Sequence, residues 1–173
     1  MILMLDETII TETPPLYHSY GRIGEHVRVP ITGHHARRVV HGVLNIHSGN
    51  VLLLITEEGV QETPQAFQGM LSTPWRGWHI VLFEDRGSPH TADESRELAR
   101  ALGIDVRFWP IATPELNAMD HLWRHVKGHA LANRTTASID ESADRVCQDI
   151  LTMSPRERLR KAGVLSGNFW LTT

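Results

Sequence analysis

The sequence predicts an α/β fold in which a mixed β-sheet is flanked by helices. Apolar runs rich in β-forming residues alternate along the chain with segments of helical periodicity. The run over residues 79–84 is almost continuously apolar, which is typical of a strand buried on both faces. With 173 residues, 41% of them hydrophobic, the chain can bury one sizeable core, and we therefore expect a single domain.

The first part of the chain is predicted to supply most of the strands. Three runs have the composition of β-strands: residues 2–5, 38–47 and 51–55. Asp6 ends the first run, and Ser48-Gly49-Asn50 separates the other two in the manner of a hairpin turn. Residues 61–71 follow as a predicted helix, with a Thr-Pro pair near the start.

The second part is predicted to alternate helices with strands. The strand over 79–84 leads to Asp85, and residues 91–102 form an amphipathic helix that Gly103 stops. Residues 105–109 are a short strand. Another helix begins near Glu115, and residues 134–173 are expected to be a helical C-terminal extension.

The helix that begins near Glu115 has one apolar stripe. At 100° per residue the stripe contains Leu116, Met119, Leu122, Trp123, Val126 and Ala130. Asp120 falls at the edge of the stripe beside Lys127, so its carboxylate could point past the core towards the ends of strands. Taken alone, Asp120 would be an ordinary exposed acid, as Asp6 and Asp85 would be ordinary turn residues.

Composition excludes several classes of protein. The longest uninterrupted aliphatic run, residues 51–55, is far shorter than the roughly 20 residues that span a bilayer. A single cysteine excludes an intramolecular disulfide framework and fits a reducing cytosol, so a cytoplasmic protein is expected. The net charge of −3 is unusual for a DNA-binding protein, although the cations are clustered and could form local basic patches.

Three aspartates form a pattern that suits metal-dependent phosphodiester chemistry. Asp6 and Asp85 each follow an apolar strand, and 34 residues separate Asp85 from Asp120. Two Mg²⁺ ions can activate a water and stabilise both the attacking and the leaving oxygen of a phosphodiester. Carboxylate oxygens without cysteine or histidine favour Mg²⁺ or Mn²⁺ over zinc.

The motif around these acids resembles the catalytic domain of mariner-like DDE transposases. It reads Asp6-Glu7, then Asp85-x-x-x-x-His90, then Pro110-x-x-x-Pro114-Glu115-Leu116-Asn117-x-x-Asp120-x-x-Trp123-x-x-x-Lys127. The resemblance runs from residue 2 to about residue 135. The bacterial insertion-sequence branch of the family is the most similar, although its third acid is usually glutamate.

The resemblance implies a fold, a reaction and a cofactor. The expected fold is ribonuclease H-like, with Asp6, Asp85 and Asp120 as catalytic residues and ligands of two Mg²⁺ or Mn²⁺ ions. The expected reaction is cleavage of double-stranded DNA at the ends of a mobile element, followed by strand transfer into target DNA. Pairing two transposon ends implies a homodimer when the enzyme is active, with no role at a membrane.

Six further residues are candidates for supporting roles. Glu7, His90 and Asn117 could act behind the metal ligands, and Arg86, Arg124 and Lys127 could contact DNA phosphates. The family usually has asparagine where this chain has Arg86. His90 could equally cap the following helix, and Glu7 could equally make a structural hydrogen bond.

Two other functions stay open on the sequence alone. The family normally carries helix-turn-helix modules before its first catalytic aspartate, and none precedes Asp6 here. Such a region is expected to be encoded separately or fused by frameshifting; otherwise the chain is an inactive or truncated remnant that only binds DNA or protein. The recurrence of His121, His125 and His129 on one helical face also permits a zinc site.

Overall fold

The computed structural model describes residues 1–31, 33–57, 63–71, 73–85 and 93–171. Within these residues the strands are β1 (Ile2–Thr11), β2 (Arg37–Asn45), β3 (Val51–Glu57), β4 (Ile80–Glu84) and β5 (Ile104–Phe108). The helices are α1 (Thr63–Leu71), α2 (Asp93–Ala101), α3 (Ala118–Val126), α4 (Ile139–Thr152) and α5 (Pro155–Lys161). A 3₁₀ turn over Pro114–Leu116 precedes α3, and a π-helical turn over Lys127–Leu131 follows it.

The strands form one mixed sheet in the order β3-β2-β1-β4-β5. The pairs β1–β2 and β2–β3 are antiparallel, whereas β1–β4 and β4–β5 are parallel. The predicted hairpin between β2 and β3 is present, with Gly49 at a φ of 73° that glycine adopts readily. The prediction of a mixed sheet flanked by helices is therefore confirmed.

The first strand is longer than the sequence analysis predicted. It continues beyond Asp6 to Thr11, because the alternating residues 8–11 pair with β2 as far as Thr11 opposite Arg37. The prediction that Asp6 ends this strand is wrong. Asp6 instead lies just past Met4, where the parallel pairing of β1 with β4 ends.

Each face of the sheet carries its own apolar core. One core packs α1 and α2 against the sheet and includes Leu3, Leu5, Val43, Phe67, Leu71 and Leu82. The other packs α3 and α4 against the opposite face and includes Met4, Val40, Leu44, Met119, Trp123 and Ile150. Since side chains alternate along a strand, Asp6 shares the face of Met4, which is the face that α3 covers.

Helix α3 begins later than predicted. The polypeptide forms the 3₁₀ turn first, and the α-helix starts at Ala118 with Asn117 as its N-cap. Asn117, which falls inside the predicted helix, instead precedes the helix and is buried. The predicted apolar stripe is otherwise confirmed, because Met119, Leu122, Trp123 and Val126 are all buried.

The C-terminal helices belong to the core of the domain. Helix α4 buries Val146, Cys147 and Ile150 against the sheet. The guanidinium of Arg158 on α5 is also buried and donates to the backbone oxygens of Ile150, Leu151 and Gly49 at 2.9, 2.9 and 3.2 Å. Arg158 is therefore held in the interior and is not part of a basic surface patch.

No helix in the part of the chain that the structure describes has both the length and the apolar character that crossing a membrane requires.

Candidate active site

Two of the predicted acids meet where β1 and β4 run side by side. The parallel register pairs Ile2 with Val81 and Met4 with Phe83, and continuing it by two residues sets Asp6 opposite Asp85. Asp85 directly follows the end of β4, as predicted. Alternation along both strands directs the two carboxylates to the face that α3 covers.

Helix α3 brings Asp120 to the same place, and Asn117 fixes the start of that helix. The Oδ1 of Asn117 accepts a hydrogen bond from the Met119 amide at 3.0 Å. Its Nδ2 donates to the carbonyl oxygen of Leu5 at 2.9 Å, in a buried position. One amide side chain therefore caps α3 and ties it to the strand residue that immediately precedes Asp6.

The three carboxylates line one cavity of about 220 Å³. Its remaining wall is the segment between β5 and α3, including Trp109, Thr113 and Asn117. Trp109 packs against Phe83 on β4 with ring centroids 4.8 Å apart, which holds this segment against the sheet. The sequence analysis did not single out Trp109, although its position directly before Pro110 in the family-like motif could have drawn attention to it.

The crowding of acids changes the protonation of Asp6. Burial, together with the negative charges of Asp120 and Asp85, raises the pKa of Asp6 from 3.8 to about 7. A hydrogen bond from the backbone at Glu7 opposes this rise. The cavity is therefore a place where three carboxylates repel one another and where added positive charge would be stabilised.

This pKa predicts how the stability of the metal-free protein depends on pH. Between pH 3.8 and about pH 7 the folded state holds a proton on Asp6 that the unfolded chain has released. The stabilisation of the folded state by this bound proton is present at low pH and is lost as the pH rises through 7. The full shift in the pKa of Asp6 would correspond to about 4 kcal/mol in the free energy of unfolding, and we expect about 2 kcal/mol after solvent screening.

The measurement is urea unfolding in EDTA at a series of pH values for the wild type and for Asp6→Asn. The variant lacks the titrating group, so its stability relative to the wild type should increase steadily across this pH range. Parallel stability curves for the two proteins would contradict the raised pKa of Asp6.

Two cations lie beside the acids. Burial lowers the pKa of Lys127, while the negative charges of Asp120 and Asp6 oppose that decrease, so the ammonium group is close enough to interact with both. Arg124 lies one turn after Asp120 on α3, and its guanidinium donates to the Oδ2 atom of Asp120. Both residues, predicted to contact phosphates, are thus adjacent to the cavity.

The donor set fits a hard divalent cation. All three acids offer carboxylate oxygens, and Mg²⁺ needs only a few of these because it retains several waters. Across the described ranges, however, no three His, Cys, Asp or Glu side chains are already grouped closely enough to hold a metal ion. Asp120 is paired with Arg124 through its Oδ2 atom, so an ion that binds this carboxylate would compete with the guanidinium.

The structure does not bring every predicted supporting residue to the cavity. Glu7 follows Asp6 and therefore projects from the opposite face of the sheet, where its carboxylate lies 2.9 Å from Nδ1 of His41. Asn117 does reach the site, as described above. The predictions for Arg86 and His90 lie outside the described residues.

The three helical histidines do not converge. The rings of His125 and His129 stack with centroids 6.1 Å apart, and Nδ1 of His129 lies 3.1 Å from Oδ1 of Asp149. The ring of His121 faces Gly163 on the segment after α5. Among the residues that the structure describes, nothing groups these rings as ligands of one zinc ion, because His121 faces Gly163 and His129 faces Asp149.

Similarity to known transposases agrees with this geometry. A curated relative, the Transposable element Tcb2 transposase of Caenorhabditis briggsae, is 33% identical over 67 residues. That match covers 36% of this chain and 24% of the relative, so the aligned part is about a quarter of the relative's length.

The solved structures of Mos1 transposase share the fold. The Mos1 paired-end complex with the left transposon end has a TM-score of 0.72 at 17% identity, covering 95% of this chain and 52% of that chain. The catalytic domain of Mos1 mariner transposase has a TM-score of 0.66 at 16% identity, covering 95% and 76%. These TM-scores establish the shared fold, and the predicted ribonuclease H-like architecture is confirmed.

A family model described as DDE superfamily endonuclease matches residues 1–142, which is most of the chain and includes all three cavity aspartates. On this match, together with the shared fold, the chain belongs to the DDE superfamily endonucleases.

Proposed function

We propose that this chain is the catalytic domain of a DNA transposase, which cleaves the phosphodiester at the end of a mobile element and transfers the new 3′-hydroxyl to target DNA. The observation that carries the proposal is the convergence of Asp6, Asp85 and Asp120, from three separate elements, on one cavity. Membership of the DDE endonuclease family favours this activity over a remnant that only binds DNA or protein.

Asp6, Asp85 and Asp120 are proposed to hold Mg²⁺ or Mn²⁺, two ions in the working enzyme. When bound, such ions would activate water and neutralise charge at the scissile phosphate. Structures of mariner Mos1 have been solved with Mg and with Mn, which supports the choice of cation. Burial raises the pKa of Asp6, as do the negative charges of Asp120 and Asp85, and these charges also favour an added cation at this place.

The neighbouring residues have distinct proposed roles. Asn117 orients Asp120 relative to β1 through its bond to the Leu5 carbonyl. Lys127 would contact a DNA phosphate at the rim of the cavity, where its positive charge lies near Asp6 and Asp120. Arg124 balances the charge of Asp120 and would be available to the DNA backbone if an ion took over that role.

The wider context is also a proposal. We place the chain in the bacterial insertion-sequence branch on the motif from Pro110 to Lys127. In that setting it would act in the cytoplasm on double-stranded DNA, as a homodimer, together with helix-turn-helix modules that read the ends of the element. Phosphate contacts without a recognition helix should give residues 1–173 weak DNA binding with little sequence preference.

Metal binding tests the proposal most directly. We expect calorimetric titration of the metal-free protein with Mn²⁺ to show binding, and Asp120→Asn to weaken it by about tenfold or more through loss of a ligand charge. Asp105→Asn is the matched control, because Asp105 lies on the neighbouring strand and pairs with Arg107 at 2.8 Å, outside the cavity lining.

The control variant should bind Mn²⁺ like the wild type. If the wild-type protein binds no Mn²⁺, or if Asp120→Asn and Asp105→Asn bind it equally well, the assignment of the cavity as a metal centre is wrong.

A further inference from the structure

Helix α3 approaches strand β2 very closely at a glycine, Gly42. Gly42 lies directly opposite Asp6 in the antiparallel register of β1 and β2. Helix α3 crosses this position through Met119 and Trp123, which are 0% and 2% exposed and therefore cannot move into solvent. Gly42, which lies opposite Asp6, is thus covered by Met119 and Trp123, the two residues on either side of Asp120 along α3.

Only glycine fits in this space. A β-carbon at position 42 would lie 2.4 Å from Cε of Met119 and 2.5 Å from Cζ2 of Trp123, well inside the distance that two carbon atoms tolerate. Gly42 is an interior residue of β2, so its requirement is one of space rather than of backbone conformation. Glycine in a strand interior often marks such a close approach.

The two obstructing side chains differ in how they could respond. The methionine methyl group is the end of a flexible chain and could turn aside. The indole ring of Trp123 is rigid and enclosed in the core, so relief of the clash would require α3 itself to move away from the sheet.

A shift of α3 would move Asp120 relative to Asp6. The start of the helix is held by the bond from Asn117 to the Leu5 carbonyl, which fixes its position along β1. Its height above the sheet depends on the contact at Gly42. We propose that Gly42 is a positioning residue that sets the separation between the carboxylates of Asp120 and Asp6, and thereby the affinity of the site for a divalent cation.

This inference rests on the proposed metal centre, so the test first requires Mn²⁺ binding by the wild-type protein. Gly42→Ala should weaken Mn²⁺ binding by about tenfold or more, the usual cost of disturbing a residue behind a metal ligand. Gly69→Ala is the matched control, because a β-carbon at that position on α1 meets no atom within 4 Å. The control should retain wild-type affinity.

A second-site change separates positioning from a general loss of stability. Phenylalanine lacks the Cζ2 and Cη2 atoms of tryptophan, so Trp123→Phe would remove the rigid obstacle in front of a β-carbon at position 42. The double variant Gly42→Ala/Trp123→Phe should recover most of the Mn²⁺ affinity that Gly42→Ala loses, even if the single variant folds poorly. Destabilisation alone would not produce this recovery in the affinity of the folded protein.

A readout that needs no metal accompanies the titration. In protein labelled with 5-fluorotryptophan, the ¹⁹F signal that disappears in Trp123→Phe belongs to Trp123. Gly42→Ala should shift this signal in metal-free protein, and Gly69→Ala should not.

The inference is overturned if Gly42→Ala binds Mn²⁺ within twofold of the wild type, or if the double variant fails to regain affinity. Failure of the wild-type protein to bind Mn²⁺ would instead overturn the proposed function, and the inference with it.

Discussion

Replacement of Asp85 by asparagine is expected to lower Mg²⁺-dependent cleavage of duplex DNA by about a thousandfold. The substitution keeps the size of the side chain but removes the negative charge of a proposed metal ligand at the end of β4. Metal ions contribute several kcal/mol of transition-state stabilisation, and about 4 kcal/mol corresponds to a thousandfold change in rate.

The assay is nicking of supercoiled plasmid, in Mg²⁺ and in EDTA, by wild type, Asp85→Asn and Asp105→Asn. The last variant changes an acid on β5 that pairs with Arg107, and it should cleave like the wild type. Nicking by Asp85→Asn at the wild-type rate would remove Asp85 from the catalytic set.

Replacement of Asn117 is expected to destabilise the fold more than loss of an ordinary helix cap does. Asn117→Ala removes the cap of α3 and leaves the Leu5 carbonyl without its amide donor in a buried site. Loss of the cap costs about 1 kcal/mol and the unpaired carbonyl about 2 kcal/mol, so we expect a total of about 3 kcal/mol.

Two comparison variants separate the cost of losing the helix cap from the cost of losing the hydrogen bond to Leu5. Asn117→Ser keeps an oxygen for the Met119 amide but loses the Nδ2 group that donates to the Leu5 carbonyl, so it should recover only about 1 kcal/mol. Ser138→Ala removes an ordinary helix cap at the start of α4, where the hydroxyl of Ser138 accepts a hydrogen bond from the Glu141 amide at 3.1 Å. This change should cost about 1 kcal/mol.

Urea unfolding measures these differences as shifts in the midpoint at constant slope. Equal destabilisation by Asn117→Ala and Ser138→Ala would show that the bond to Leu5 contributes nothing.

Local periodicity explains what could be predicted from the sequence. The continuous apolar run before Asp85 predicts a buried strand, and β4 is that strand. The stripe through Met119 and Trp123 predicts the buried face of α3, and Asp120 lies at its edge as expected, only partly exposed. These features depend on residues close together in the chain, so the spacing of the apolar residues is enough to predict them.

Long-range pairing explains what could not be predicted. The strand β1 continues through Asp6 because β2, some thirty residues later, pairs with it. The role of Asn117 depends on the backbone of Leu5, 112 residues away. Gly42 has no side chain and belongs to no motif, so only the packing of α3 on the sheet reveals its importance.

The site shows the same division. The chemical identity of the three acids and their motif predicts which residues belong together. The ion pair of Arg124 with Asp120 joins residues four apart on α3, a spacing that the sequence already shows. Sequence alone could not predict the raised pKa of Asp6, because it depends on distances between elements that the motif does not encode.

The buried guanidinium of Arg158 bears on where this domain can be divided. It joins the end of α4 to the turn between β2 and β3, across 109 residues from Gly49. The family match ends at residue 142, near the start of α4, yet α4 contributes Val146 and Ile150 to the core on the face that carries Asp6. A protein cut at that boundary would expose an apolar sheet face and leave the Gly49 carbonyl without its guanidinium donor, so any exchange of catalytic modules between relatives should keep both C-terminal helices attached.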